Sequence, residues 1–256
     1  MSKTPSVLIL SGIDPTNGAG LGRDILSVRE NNCYPLSVPT ALTVQNSMEF
    51  QSLKAVDIEH IRKSVDLIKN EFSIKTVKTG LVPTDKKWLE GFSQILLTFS
   101  VPIVIDTVIK ATSDSNSSID IPKQYLDLIT GKNRIITPNL RELTNIYTLA
   151  FGSKNSPKIM AGNISKKFGC TVLTTFEGEK SSIFITDNNS TEEIEITLIN
   201  SHNSYHGTGC TFSSALASFL ALEYSLSESV KKAADYTGRK IDNSIKFKEQ
   251  GQYYPY

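Results

Sequence analysis

Cysteine is scarce in this chain, and the scarcity narrows the options. Cys33, Cys170 and Cys210 are the three present in 256 residues. Their number is odd, their spacing wide, and no C-x-x-C pair occurs, so neither a disulfide framework nor a zinc site is indicated. Net charge is nearly absent as well. The 27 Lys and Arg residues against 26 Asp and Glu leave +1, with the signs interspersed, which offers no broad basic field to nucleic acid or to a membrane surface. The first apolar run, Val7-Leu8-Ile9-Leu10, stops at Ser11-Gly12, too short for a signal core or a membrane span. There is no repeat of fixed period, and the biased pieces at 112–118 and 187–191 are short and polar. The expectation is a soluble, cytoplasmic protein that acts on small molecules, with no nucleic-acid or membrane partner.

Two nucleotide-binding patterns are missing too. No G-x-x-x-x-G-K-[ST] occurs, and the one glycine-rich turn that opens an apolar helix, His206-Gly207-Thr208-Gly209-Cys210-Thr211-Phe212-Ser213-Ser214, lacks the third glycine of G-x-G-x-x-G. What that turn does have is two glycines around one threonine before a helix start. On the residues alone it is either a tight loop or an anion site lined by backbone amides at the positive end of the helix. Cys210, in the first turn of that helix, stands where the thiol pKa is expected to fall.

The rest of the chain alternates strand and helix. The run at 7–10 predicts a strand buried on both faces, followed by a glycine-rich loop and a helix over 21–30. An extended segment at 36–44 contains Pro39, which predicts an edge, a bulge or an irregular strand. Helices are predicted at 57–72, 87–99, 122–129 and 158–168, and from 138–142 onward; strands at 74–78, 101–105, 134–137 and 171–175. Segments 182–186 and 193–199 predict an antiparallel pair. Helices over 211–222 and from 226 to about 245 close the chain before a tail at 251–256. This order predicts an α/β fold, a largely parallel central sheet flanked by helices on both faces, with a small antiparallel hairpin. At this length it is either one large domain or two small ones, and a single domain over 1–256 is the expectation.

Several motifs together carry a resemblance. Ser11-Gly12-Ile13-Asp14-Pro15 with Gly18-Ala19-Gly20 and Asp24, Thr40-Ala41-Leu42-Thr43-Val44-Gln45-Asn46, Val77-Lys78-Thr79-Gly80-Leu81, Asp106, Thr137-Pro138-Asn139-Leu140-Arg141-Glu142, and the turn from His206 to Ser214 follow one another in order. The series resembles the hydroxymethylpyrimidine and phosphomethylpyrimidine kinases of the ribokinase-like superfamily, with pyridoxal kinases nearby. The resemblance implies a ribokinase-like domain, ATP as donor with Mg2+, phosphorylation of 4-amino-5-hydroxymethyl-2-methylpyrimidine or its monophosphate in thiamine synthesis or salvage, and a homodimer. It places Cys210 as the catalytic base within the anion turn of Gly207, Thr208 and Gly209. It places Gln45, Gly12, Asp24 and Val108 at the substrate, Asn139, Asp106 and Thr175 at the nucleotide, and Glu142 with Asp106 at the metal.

Blander alternatives stand beside these roles. Gln45 can donate and accept in one plane, as an aminopyrimidine edge requires, or be a satisfied loop amide. Asn139 and Glu142, three apart at a helix start, can face one metal or form an N-cap with its acidic partner. Asp24 reads on its own first as an N-terminal helix acid, and Asp106 as either a loop-capping acid or a charge close to metal and phosphate. The chain also departs from the family pattern: Thr175 stands where a lysine is usual, Thr107 follows Asp106 in place of proline, Asp114 replaces a glycine, and Lys110 an apolar residue. These departures raise a third reading, a weakly catalytic pyrimidine-binding regulator.

Overall fold

The computed structural model describes residues 4–46, 49–108, 121–176, 182–188, 190–196, 205–247 and 252–256, without the side chains of Thr175 and Phe176. The expected positions Lys110 and Asp114 and the end of the predicted strand at 197–199 lie outside the described residues. Strand β1 (Ser6–Ile13) is central. Beside it lie β2 (Tyr34–Gln45) on one side and β4 (Ile74–Thr79) on the other, both parallel to it. The sheet continues in parallel through β5 (Ile103–Ile105), β6 (Arg134–Ile136) and β7 (Thr171–Phe176). Antiparallel strands finish both margins: β3 (Phe50–Ala55) beyond β2, and the hairpin β8 (Ser182–Thr186) and β9 (Thr191–Glu195) beyond β7. The result is a nine-stranded sheet in the order β3-β2-β1-β4-β5-β6-β7-β8-β9.

Strand side chains alternate between faces, so a strand covered on both sides must be apolar at successive positions. In β1, Val7 and Ile9 pack with α1 (Gly20–Glu30), α7 (Thr208–Ala221) and α8 (Leu226–Asp242). Leu8 and Leu10 pack on the other face with α2 (Ile58–Glu71), α3 (Lys86–Leu97), α5 (Leu140–Phe151) and α6 (Pro157–Phe168). At roughly 1.5–3 kcal/mol for each fully buried Val, Leu or Ile side chain, these cores hold the sheet edge that carries the site.

Strand order reverses at β1, because the chain first moves out to β2 and then returns to β4 on the opposite side. A crevice therefore opens between β1 and β4 at their carboxyl ends, where ligands of open α/β sheets gather. The bonds from Gly80 N–H to Leu10 C=O (2.9 Å) and from Asp106 N–H to Thr79 C=O (3.0 Å) carry the ladder into the loops at that edge.

One local expectation resolves among its alternatives and three others change. Pro39 is not on an edge strand, since β2 has neighbours on both sides. It precedes the first β3 pair at Ala41, however, and the register with β1 shifts just after it, so the missing N–H is accommodated by an irregularity. Strand β3 was not expected, being six residues long and mostly exposed. Helix α4 (Tyr125–Ile129) starts one turn after Pro122, whose carbonyl accepts from Tyr125 N–H. The last helix stops at Asp242, and Ile245 instead forms β10 (Ile245–Lys246) with β11 (Tyr253–Tyr254), so the tail is paired rather than loose. Among the described residues no helix is long and apolar enough to cross a membrane.

Candidate active site

Helix α7 begins at the crevice because only glycine suits its N-cap. Gly207 has φ +90°, and a Cβ there would lie 1.9 Å from the Gly18 carbonyl oxygen. No side chain caps this end, so the first amides of the helix, on Thr208, Gly209 and Cys210, remain for an external anion. Gly209 is exposed and faces Asp106, whose Oδ1 would be 3.6 Å from a Cβ at that position.

Beneath the turn lies a buried charged cluster. Lys78, fully enclosed in β4, places Nζ 2.7 Å from Asp24 Oδ2 and 3.9 Å from Asp106 Oδ2. Two α7 serines complete it: Ser214 Oγ donates to Asp24 Oδ1 (2.7 Å) and Ser213 Oγ to Asp106 Oδ2 (3.2 Å). Burial would discharge Lys78, but Asp24, Cys210 and Asp106 together outweigh it and hold the ammonium above its usual range. Burial also raises the Asp106 carboxyl, against the opposing pull of Lys78. Cys210 is buried among Lys78, Asp24, Asp106 and the Gly20 backbone. Here the expectation of a lowered thiol pKa fails. Burial pushes Cys210 well above the ordinary thiol range, Lys78 opposes, and the charges of Asp24 and Asp106 add to the rise. The helix end is present, but desolvation among carboxylates is the larger effect.

The first loop is locked to the turn. Asp14 is buried, with its carboxylate taking the Thr16 and Ala19 amides at 2.9 and 3.0 Å and His206 Nε2 at 2.7 Å. Burial alone would raise its pKa, but the bonds from His206 and Thr16 outweigh that and hold it below the usual range. Gly20, at φ +60°, closes this loop over Gly12, whose carbonyl oxygen would be 2.4 Å from a Cβ at that glycine.

Asn139 caps α5 and accepts from Glu142 N–H (2.9 Å), while Glu142 Oε2 accepts from Asn139 N–H (3.1 Å) and from Thr107 Oγ1 (2.8 Å). The capping reading of the pair therefore holds, and the Thr107 bond ties Glu142 to the residue after Asp106. Its carboxyl is pushed up to about 8, first by burial and then by the Asp106 charge. Gln45 ends β2, which is joined to the first loop by the 2.8 Å bond from Thr43 Oγ1 to Ile13 C=O; its Oε1 is enclosed and has no hydrogen-bond partner among the described residues. Val108 follows β5 and is half-buried. Thr175 pairs with Ile183 between β7 and β8.

A cavity of about 520 Å³ opens beside the turn, between Thr208, Gly209 and Phe212 of α7, Asn139, and the α8 residues Gly238 and Arg239. The structure thus brings Cys210, Asp106, Asp24 and the Gly207 turn into one cluster, joins Glu142 to it through Thr107, and sets Asn139 on the cavity wall. Asp24 is fully buried, with both oxygens engaged by Lys78 and Ser214, so here it touches protein and no open surface. Lys78, Ser213, Ser214 and the Asp14–His206 pair were not anticipated as site residues. One signal did exist for Lys78: a cation inside a strand flanked by buried strands must find a buried counter-ion.

Residues 14–254 match the family model described as phosphomethylpyrimidine kinase. A hydroxymethylpyrimidine/phosphomethylpyrimidine kinase of Staphylococcus aureus is 28% identical over 250 residues, covering 94% of this chain and 89% of the relative. A Saccharomyces cerevisiae kinase of the same name is 30% identical over 260 residues, covering 93% of this chain but 46% of its own. The chain thus spans about half the length of the yeast protein, and likewise of a probable thiamine biosynthetic bifunctional enzyme from rice, at 45%. Among solved structures, an ADP complex of Bacillus subtilis pyridoxal kinase superposes with a TM-score of 0.80 at 22% identity, covering 99% of this chain and 98% of that one. A phosphomethylpyrimidine kinase from Clostridium difficile gives 0.71 at 24%, covering 92% and 98%. These likenesses show a ribokinase-like kinase fold. With a family match running from the Asp14 loop through the Gly207 turn to the paired tail, the chain belongs to the phosphomethylpyrimidine kinase family.

Proposed function

We propose that this protein transfers the terminal phosphoryl group of ATP to 4-amino-5-hydroxymethyl-2-methylpyrimidine, to its monophosphate, or to both, in thiamine synthesis or salvage. The observation that carries the reading is the position of Cys210, buried beneath uncapped helix amides and beside Asp106, with Lys78 paired to Asp24 and close to Asp106. Phosphoryl transfer asks chiefly for positioning and for neutralisation of oxygen charge. The amides of Thr208, Gly209 and Cys210 supply fixed positive dipoles for the transferred group. The proton of the substrate hydroxyl passes to Cys210 Sγ while the thiol gives its own proton to Asp106, whose carboxyl burial already raises. Lys78 steadies the negative charge that this buried cluster carries. Because the transition state is loose, the proton can leave late, which a thiol of high pKa tolerates.

The residues fit a magnesium ion. Asp106 and Glu142 are oxygen donors, and the Asp106 charge raises the Glu142 carboxyl, a repulsion that a hard dication relieves. Asp106 and Glu142 would hold it, with Asn139 beside them at the nucleotide, and it supplies charge neutralisation on phosphate oxygens when bound. On the substrate side, the enclosed, unpartnered Oε1 of Gln45 supports its assignment as the pyrimidine reader, with Gly12 and Val108 alongside. Asp24 is assigned through Lys78 rather than through direct contact, and Thr175 to the nucleotide side.

The protein acts in this reading as a single domain, a homodimer and a cytoplasmic enzyme. The test is ADP release from Mg-ATP in the presence of hydroxymethylpyrimidine, of its phosphate, and of pyridoxal in parallel. Pyrimidine-dependent release is expected. Release with pyridoxal alone would transfer the reading to a pyridoxal kinase, and saturable pyrimidine binding without release to a regulator.

A further inference from the structure

The tail meets both glycine loops at one point. A Cβ placed on Gly18 would lie 2.5 Å from Tyr254 Cδ1 and Cε1 and 2.6 Å from His206 Cδ2, so the tyrosine ring and the imidazole occupy the space this glycine leaves. The two rings stand 5.8 Å apart at 75°. The backbone agrees: Tyr253 C=O accepts from His206 N–H at 2.8 Å, and Tyr253 forms a parallel bridge with Tyr205. Behind these contacts the segment is anchored to α8. Strand β11 pairs with β10 just past that helix, Phe247 packs edge-on against Tyr254 at 5.4 Å, and Tyr256 N–H donates to Lys240 C=O at 3.1 Å. Lys240 in turn pairs with Glu30 of α1, 2.8 Å away.

We propose that residues 253–255 form a strap that sets the spacing between the first loop and the Gly207 turn, with Tyr254 as the positioning residue. The ring is rigid, its contacts on Gly18 and His206 are direct, and the loops already touch at Gly207 and the Gly18 carbonyl, so its thickness fixes how the amides of α7 stand against the Asp14 loop. Tyr254 touches no reacting atom; it acts through His206 and Gly18. The consequence for turnover rests on the kinase reading, whereas the loop spacing does not.

Hydrogen exchange of the full chain, compared among the parent, Tyr254→Ala and Tyr254→Phe, tests the strap without any ligand. Removing the ring is expected to speed exchange at the amides of 16–20 and 206–210 by about tenfold or more, with β4 and β5 unchanged and the Phe variant matching the parent. In the active enzyme the alanine variant should raise the KM for Mg-ATP more than it lowers kcat. Loop exchange at the parental rate in the alanine variant, or an increase shared by the whole chain, would overturn the strap; faster loop exchange with an unchanged KM in an active parent would overturn its consequence for turnover. A parent that releases no ADP would sink the kinase reading and leave the exchange result standing.

Discussion

Asp14 Oδ2 lies 2.7 Å from His206 Nε2, joining residues 192 apart in sequence across the seam between the two glycine loops. Both side chains are buried, and the other acceptor positions of Asp14 are filled by Thr16 and Ala19. Asp14→Asn removes the charge and one acceptor, and should cost about 1–3 kcal/mol in urea denaturation at neutral pH. Because the folded pKa of Asp14 is lowered from 3.8, the stabilisation is present above that value and disappears as pH falls through the lower, folded one. The parent and the variant should therefore converge in acid. A gap that stays constant would mean that the carboxylate charge is not what holds the loops.

Lys78 and Asp24 make a second pair, with both side chains at 0% exposure. Removing one partner of a buried ion pair leaves a desolvated charge, so Lys78→Met should destabilise by about 3–5 kcal/mol. The double variant Lys78→Met with Asp24→Asn should recover much of that stability but not turnover, since Asp106 still lacks its cation. A double variant no more stable than the single one would refute the electrostatic account.

Cys210→Ala is expected to lower kcat by about 10²–10⁴-fold, the span of general base catalysis, with little change in ligand affinity. Cys210→Ser should not rescue it, because a hydroxyl is a far poorer anion among carboxylates. Single-turnover rates decide the matter: a serine enzyme within a few-fold of the parent would remove the base assignment and leave the amide-lined turn intact.

Glu142 binds its proton more tightly folded, at about 8, than its ordinary value of 4.5 allows. Between those values the folded chain holds the extra proton, so stability falls as pH rises through the window. Glu142→Gln keeps acceptors for Thr107 and Asn139 without the charge. Its Tm should gain on the parent from about pH 5 to about pH 9, and magnesium should raise the parent's Tm at the alkaline end more than the variant's. Parallel Tm curves would refute the burial of an opposed carboxylate.

Gln45→Ala should weaken hydroxymethylpyrimidine binding by about 1–3 kcal/mol, the range for leaving a buried polar partner unpaired. Pyridoxal binding should change less. Calorimetric titration giving equal losses for both ligands would contradict its assignment as the pyrimidine reader.

Much of this organisation was legible in the chain. Val7 to Leu10 read as a doubly buried strand because both faces of a parallel sheet demand apolar residues, and the hairpin at β8 and β9 read from its alternation. The Gly207 turn read from glycine spacing before an apolar helix, and the family from a series of motifs in order. Strand β3 did not read, being short, mostly exposed and paired only through β2, nor did the role of the tail, whose Tyr254 meets Gly18 only after the chain has folded back.

The pairings at the site were decided by tertiary structure. Sequence spacing placed Cys210 in a helix's first turn, which by itself lowers a thiol pKa; only packing showed that the thiol sits enclosed between Asp24 and Asp106, where desolvation reverses the direction. Sequence placed Asp24 at the start of a helix and Lys78 inside a strand, but their contact joins α1 to β4 across the crevice. Periodicity, turn residues and motif order act over a few residues and so are written in the chain. Burial, charge pairing and pKa depend on what the whole sheet brings within a few ångströms, and those are settled only when strands distant in sequence lie side by side.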